Sequence, residues 1–391
     1  MSTTMFGNIS VNVLENNDTT TFPRVMLTIN GNSVPISATK VNAVNPNQKG
    51  IYVKYDNFYY FIQEAKPPLQ LTDSYYKMSQ VYPNTYTNMI TVPNELDTSN
   101  VTTMSNMFKN CKSLTSIPQL DTSKVTDMFC MFHQCTKLTS IPQLNTSNVT
   151  DMRSMFYDCA NLTTILQLDT DKVTSMINMF YNCYKLTTIP NELNTSNVTD
   201  MDDMFYNCRN LTAIPELNTS KVTGMNFMFS GCQRLTSIHQ LDTSNVTGMN
   251  NMFSNCTNLT SIPQLNTSKV TDMQEMFGNC TNLTSIPQLN TNNVTSMNNM
   301  FNYCTSLTTI PQLNTSKVTN MMGMFRDCQS LTDIFPWTID CSSISDASNM
   351  QDMFYGSSVT NVTLANVNYN IRSEVTPQLL KGDDTLIIEF I

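Results

Sequence analysis

Histidine is nearly absent, with His133 and His239 the only two in 391 residues. They lie far apart in the chain, so neither a Cys–His nor a Ser–His–Asp nucleophile suggests itself. Glycine is scarce at ten residues, none of them in a phosphate-cradling loop, which excludes the nucleotide-binding motifs. Charge is thin: 13% of residues are charged, the net charge is −9, and lysine and arginine do not cluster. A nucleic-acid footprint, which needs clustered cations to displace counterions, is therefore not expected. No apolar run approaches the roughly 20 residues of a membrane span. The amino-terminal MSTTMFGNISVNVL has neither a basic n-region nor an apolar h-region, so no secretory signal is expected. Metal-ligand spacings of the CxxC type are missing, and no metal or cofactor is expected. Neighbouring carboxylates such as Asp202-Asp203 and Asp383-Asp384 are adjacent in sequence and read as solvated. The inventory points away from an enzyme.

What the chain has instead is repetition. The stretch LDTSKVTDMFCMFHQCTKLTSIPQ, Leu120 to Gln143, returns ten times with little change. Cys111, Cys135, Cys159, Cys183, Cys208, Cys232, Cys256, Cys280, Cys304 and Cys328 follow one another at 24 residues, with one step of 25 where IPNEL (Ile189 to Leu193) replaces IPQL. A period between 20 and 50 residues is the signature of a solenoid, in which each unit is one turn of a stacked coil. The expected fold is an α/β solenoid of leucine-rich-repeat type, with 24-residue coils, parallel strands and a small amino-terminal all-β domain. Within one coil Leu138, Ile141 and Leu144 mark an extended segment closed by Pro142. Val125, Met128, Met131, Phe132 and Cys135 fall at near-helical spacing, which predicts a short helix or 3-10 segment capped by Thr126 with Asp127 in its first turn.

Ten cysteines in one slot read as a ladder of free thiols in the core. Rungs about 4.8 Å apart exceed the Cβ separation a disulfide prefers, and buried thiols pack as small hydrophobes. Only Cys130 and Cys341 fall outside the ladder.

Four regions are expected. Residues 1–63 read as a small β domain and attachment candidate. There Phe6 to Leu14 alternates, Arg24–Ile29 and Ser33–Ser37 flank an Asn30-Gly31 turn, and Ile51–Lys54 and Phe58–Ile62 flank Asp56-Asn57. Residues 64–95 read as a linker and degenerate capping coil, 96–335 as ten regular coils, and 336–391 as a degenerate coil and carboxyl-terminal cap. The cap is expected to hold a short helix around Pro377 to Lys381, a stop at Gly382 and a final strand from Thr385 to Ile391.

The motif DTSNVTDMxxMFxxCxxLTSIP, as in Asn194 to Pro215 and, with small changes, Asn218 to His239, closely resembles the leucine-rich repeat of BspA-like bacterial surface proteins. The resemblance covers about two thirds of the chain. It implies a solenoid, and a role in cell-surface attachment and protein binding on exported or lipid-anchored chains. The missing export signal and the separate β domain favour display on another outer surface, such as a bacteriophage virion, as a fibre, decoration or host-attachment component. The alternatives are a bacterial cell-surface adhesin and an intracellular interaction scaffold. The expected partners are other structural proteins of an assembly through the β domain and a host protein or glycan through the solenoid, with a homo-oligomer also open.

Internal copies can be compared slot by slot. The Thr-Ser or Thr-Thr that directly follows Leu, as in Leu138-Thr139-Ser140, and the Pro-Gln that follows Ile are almost fixed and read as scaffold ladders. Variation concentrates beside Met-Phe and Cys. There Tyr157, Tyr181 and Tyr206 share a slot on three adjacent coils, with Tyr184 nearby, forming either an aromatic binding strip or a covering for the convex flank. The slot before Val alternates strictly: Asn100, Lys124, Asn148, Lys172, Asn197, Lys221, Asn245, Lys269, Asn293, Lys317. Alternation keeps lysines near a Debye length apart. It could equally record duplication of a two-coil unit, and Lys124, Lys172, Lys221, Lys269 and Lys317 could form a row for an anionic ligand.

Overall fold

The computed structural model describes residues 97–332, 338–380 and 386–391 and, within residues 2–62, the strands alone. The chain divides into two compact units, Met1–Val173 with Met179–Lys185 and Thr174–Asn178 with Leu186–Ile391. Residues 64–95 and the Gly382 stop lie outside the described residues.

In the first unit, strands β1 (Ser2–Phe6), β2 (Ile9–Leu14), β3 (Arg24–Ile29), β4 (Asn32–Val41), β5 (Ile51–Tyr55) and β6 (Phe58–Ile62) form a sheet in the order β1-β2-β3-β4-β6-β5. Every pairing is antiparallel. Val25 faces Ile36 and Val53 faces Tyr60, in the two hairpin pairings that the turn dipeptides mark. Both positions are β-branched or aromatic, the types that fit a pleated surface.

The coils are built from tight turns, not helices. In the coil of Leu120, Met131 N–H bonds the Met128 carbonyl at 3.1 Å, His133 bonds Cys130 at 3.1 Å, Cys135 bonds Phe132 at 2.9 Å and Leu138 bonds Cys135 at 3.0 Å. The alternate amides reach the next coil: Met128 to Asp151 O at 3.0 Å, Cys130 to Arg153 O at 3.0 Å, Phe132 to Met155 O at 2.9 Å and Gln134 to Tyr157 O at 2.6 Å. An α-helix needs every amide for its own i−4 bond, and here half of them are used between coils. Two residues per coil also have positive φ, Cys130 at 54° and Gln134 at 61°, which a right-handed helix cannot include. This corrects the helical expectation.

The cap is different as well. Thr126 gives its amide and hydroxyl to Thr102 O of the preceding coil, at 2.8 and 3.2 Å, while Asp127 Oδ1 accepts the Phe129 amide at 2.8 Å and starts the turn. Coil-to-coil pairing is parallel, but its bridges fall at the Asp127 slot, as in Asp127 with Asp151 and Gly248 with Asp272. The Leu138–Leu144 segment, expected to be the strand, contributes single bonds such as Thr163 N to Thr139 O at 3.2 Å. Pro142 has no amide to extend that ladder.

The periodic apolar residues fill the interior. Val125, Met128, Met131, Phe132, Cys135 and Leu138 are fully buried. Phenylalanines stack coil on coil. In the first unit Phe108, Phe132, Phe156 and Phe180 lie 5.5–5.6 Å apart. In the second, Phe205 through Phe325 lie 5.6–5.8 Å apart and Phe354 continues the stack at 5.5 Å. All twelve cysteines are free and buried. Each ladder thiol from Cys135 to Cys328 that has a described bond donates to the Phe carbonyl of the preceding coil, as Cys135 does to Phe108 at 3.0 Å and Cys280 to Phe253 at 3.0 Å. Burial pushes the Cys256 and Cys328 thiols up to about 12, so they stay protonated donors.

The second unit closes on a parallel sheet, β7 (Ile339–Asp340), β8 (Asn361–Ala365) and β9 (Ile387–Phe390), in that order. Helix α1 (Arg372–Leu380) precedes β9 and carries Pro377 inside it, starting earlier than the sequence expectation. Arg372 lies over the Phe390 ring, 4.5 Å from its centroid.

Candidate binding faces

Gln-Leu-Asx-Thr-Ser, a nearly uniform stretch of the repeat, makes one face of each unit. Leu144 and Thr146 turn inward while Gln143 and Asn145 are exposed. The buried Thr ties coil to coil: Thr122 Oγ1 accepts the Asn145 amide at 2.8 Å, and Thr146 Oγ1 donates to Asp169 O at 2.8 Å. The Gln amide nitrogen donates to the next Gln carbonyl, Gln119 to Gln143 at 2.6 Å, Gln143 to Gln167 at 2.6 Å, Gln264 to Gln288 at 2.6 Å and Gln288 to Gln312 at 2.8 Å. Each Asx side chain accepts the amide two residues on, as Asn266 Oδ1 does from Ser268 at 3.1 Å and Asp242 Oδ1 from Ser244 at 3.0 Å. Those bonds hold the Asp242 carboxyl below its ordinary value.

This face is grooved. In the second unit an open groove of about 1240 Å³ runs from Gln240 to Ala365 and another of about 710 Å³ from Asn191 to Asp242. In the first unit one of about 520 Å³ runs from Gln119 to Asp169. All three lie over the same slot. Of this stretch, only the Gln that follows Ile-Pro is read from sequence as a scaffold ladder; the same near-uniformity also makes a continuous surface.

The variable flank is self-paired. His133 stacks on Tyr157 at 4.5 Å, and Tyr157 on Tyr181 at 4.4 Å with rings 1° from parallel. Their faces cover one another, and both tyrosines are half-buried. Tyr184 is half-buried in the same unit. In the second unit Tyr206 meets Phe227 edge-on at 6.2 Å. Arg153 forks onto Asp151, 2.6 Å at its closest, and lies over Phe129 at 5.2 Å. Burial, with Lys109 nearby, lowers the His133 pKa to about 4, so this ring is neutral at pH 7.

The lysine row has a local partner at every position. Lys124 Nζ donates to Asn100 Oδ1 at 3.1 Å, Lys172 to Asn148 at 2.8 Å, Lys221 to Asn197 at 2.7 Å, Lys269 to Asn245 at 2.7 Å and Lys317 to Asn293 at 2.9 Å. Asn148, Asn245 and Asn293 in turn donate to Ser carbonyls of the coil before, each at 2.9 Å. The alternation is thus a chemical one: an amide has a donor and an acceptor, and ammonium only donors.

Among the described residues, no group of three or more His, Cys, Asp or Glu is disposed to hold a metal ion, and no helix is long and apolar enough to cross a membrane.

Comparison with known proteins gives the following. The family described as "Mycoplasma protein of unknown function, DUF285" matches residues 76–191, 137–236, 174–285 and 250–368, overlapping stretches that together take in well over half of the chain. No match is found among curated proteins. Among solved structures, the chain is similar to a leucine-rich-repeat protein of T. pallidum at 20% identity and TM-score 0.30, over 49% of this chain and 76% of that one. It is also similar to a leucine-rich-repeat protein of Eubacterium ventriosum at 17% identity and TM-score 0.31, over 64% and 84% respectively. Stacked coils of one 24-residue pattern, the stacked phenylalanines and the repeated family match agree, and the chain belongs to the DUF285 family of BspA-like leucine-rich repeats.

Proposed function

We propose that this chain is a non-enzymatic binding protein that receives an extended ligand along its Gln-Leu-Asx-Thr-Ser face. One observation carries the reading: three open grooves, in both units, lie over that one slot. The floor suits an elongated polar chain. It repeats amide and hydroxyl groups rung after rung, and coil-to-coil bonds already hold them in place, so little side-chain entropy remains to be lost on binding. The stacked tyrosines support a strip less well, because ring faces already engaged with one another are not open for a partner. Display on an outer surface, of a virion or of a bacterial cell, is part of the proposal. Mass spectrometry of purified particles and of surface-shaved cells separates those two, and recovery from cytosol alone would return the chain to an intracellular scaffold.

The groove reading is tested by filling the groove. An array of linear glycans and extended peptides is probed with the wild-type chain, with Asn266→Tyr/Asn290→Tyr, and with Tyr157→Ser/Tyr181→Ser. The groove variant is expected to lose binding with an unchanged circular-dichroism spectrum, and the tyrosine variant to keep it. The opposite result would move the site to the aromatic flank.

A further inference from the structure

At the Gln and Asx slots, the coils of Lys269 and Lys317 lack the carboxylates that stand beside Lys124 and Lys172 in the first unit and beside Lys221, as Glu216, in the second. In the first, Lys124 shares its coil with Asp121, and Lys172 shares its coil with Asp169 and Asp171. In the second, the coils of Lys269 and Lys317 carry Asn266 and Asn314 at the Asx slot and Gln264 and Gln312 at the Gln slot. The coil between them carries Gln288, Asn290 and Asn293. The large groove therefore holds carboxylates only toward its two ends, Asp242 and Asp340. Both accept hydrogen bonds from the amide two residues on, at 3.0 and 2.9 Å. Between them lie three coils of neutral amides. Lys269 and Lys317 stand outside the groove lining, one residue past the slot that Ser244 and Asn292 contribute to it from neighbouring coils.

Resting on the groove reading, we propose that this stretch of the second unit binds a linear acidic polysaccharide, with Lys269 and Lys317 pairing with its carboxylates and the Gln and Asn floor meeting its hydroxyls. Three features argue for this ligand class. The lysines lie two coils apart, about 10 Å at the usual spacing of paired strands, which suits a chain charged at every second sugar better than one charged at every unit. Each ammonium is held by an Asn, at 2.7 and 2.9 Å, so the charges are set before the ligand arrives. The groove is lined by Gln, Leu, Asx, Thr and Ser, with Ala365 at one end, and carries no aromatic ring on which nucleobases could stack.

The test uses the full chain and hyaluronan oligosaccharides, which carry one carboxylate on every second sugar, in a low-salt binding titration. Lys269→Gln/Lys317→Gln keeps a donor for each Asn and removes the charge. It is expected to weaken binding roughly tenfold and to flatten the salt dependence by about two charges, whereas Lys124→Gln/Lys172→Gln leaves both unchanged. No binding by the wild-type chain overturns the proposal, as does equal loss in the two double variants or equal, lysine-dependent binding of single-stranded DNA. If neutral glycans bind, Asn266→Tyr/Asn290→Tyr abolishes that binding and the lysine variants do not alter it, the groove reading stands and the acidic ligand falls.

Discussion

At the scale of single residues, a carboxylate is set against its neighbours at Asp203. Burial first, then the neighbouring charges of Asp202 and Asp200, raises its pKa from 3.8 to about 6. Asp202 is itself committed, accepting the Asn226 amide at 2.7 Å and its side chain at 3.2 Å. A carboxyl that holds its proton longer in the folded chain stabilises that chain at low pH. The contribution is lost as pH rises from about 4 to about 6 and stays lost above. Asp203→Asn removes the titration and keeps the left-handed conformation, φ 58°, which Asn178 and Asn251 adopt in the same slot. Its melting temperature should exceed that of the wild type at pH 7.5, and the difference should shrink to nothing near pH 4. A gap independent of pH would show that Asp203 is not the titrating group.

At the scale of the coil, the same left-handed slots explain what the sequence disclosed and what it hid. The apolar residues of the core were legible because their type and spacing report burial directly. The turn path was not, because Met128, Met131, Phe132 and Cys135 sit at intervals that a helix and a chain of three-residue turns share. The discriminating signal lay in the residues before Cys, all of which have positive φ: Asn110, Asp158, Asn182, Asn207, Gly231, Asn255, Asn279 and Asp327 are types that tolerate it, and Gln134 and Tyr303 are the exceptions. The groove was hidden for a different reason, since a stretch that changes little from coil to coil looks like scaffold whether or not it also faces a ligand. The lysine alternation was visible as a pattern, but its Asn partners are one coil away. Asn279 provides a test of the turn path. Its φ is 61° and its side-chain Nδ2 donates to Asn255 Oδ1 at 2.8 Å. Asn279→Val, β-branched at a left-handed position, should cost about 1–2 kcal/mol more in urea unfolding than Asn279→Gly, which gives up the same hydrogen bond without the backbone strain. Equal costs would contradict the turn geometry.

At the scale of the molecule, each coil is a poor unit by itself and depends on its neighbours. Its alternate amides, its buried Thr, its thiol and its Phe ring all find partners one coil away. Stability in such an array is a sum of nearest-neighbour terms, so damage should stay local. Phe253 is fully buried and stacks between Phe229 at 5.7 Å and Phe277 at 5.8 Å, while its carbonyl takes the Cys280 thiol at 3.0 Å. Phe253→Ala should cost about 3–5 kcal/mol, and hydrogen exchange should place that loss in its own coil and the two beside it. The β7-β8-β9 sheet at the end of the same unit should keep its protection, because the coils of Cys280, Cys304 and Cys328 follow the Phe253 coil before that sheet begins. Uniform loss of protection through the unit would mean that its coils unfold as one cooperative block, and that a ligand bound over one stretch of the groove would stabilise every coil in the unit instead of those it touches.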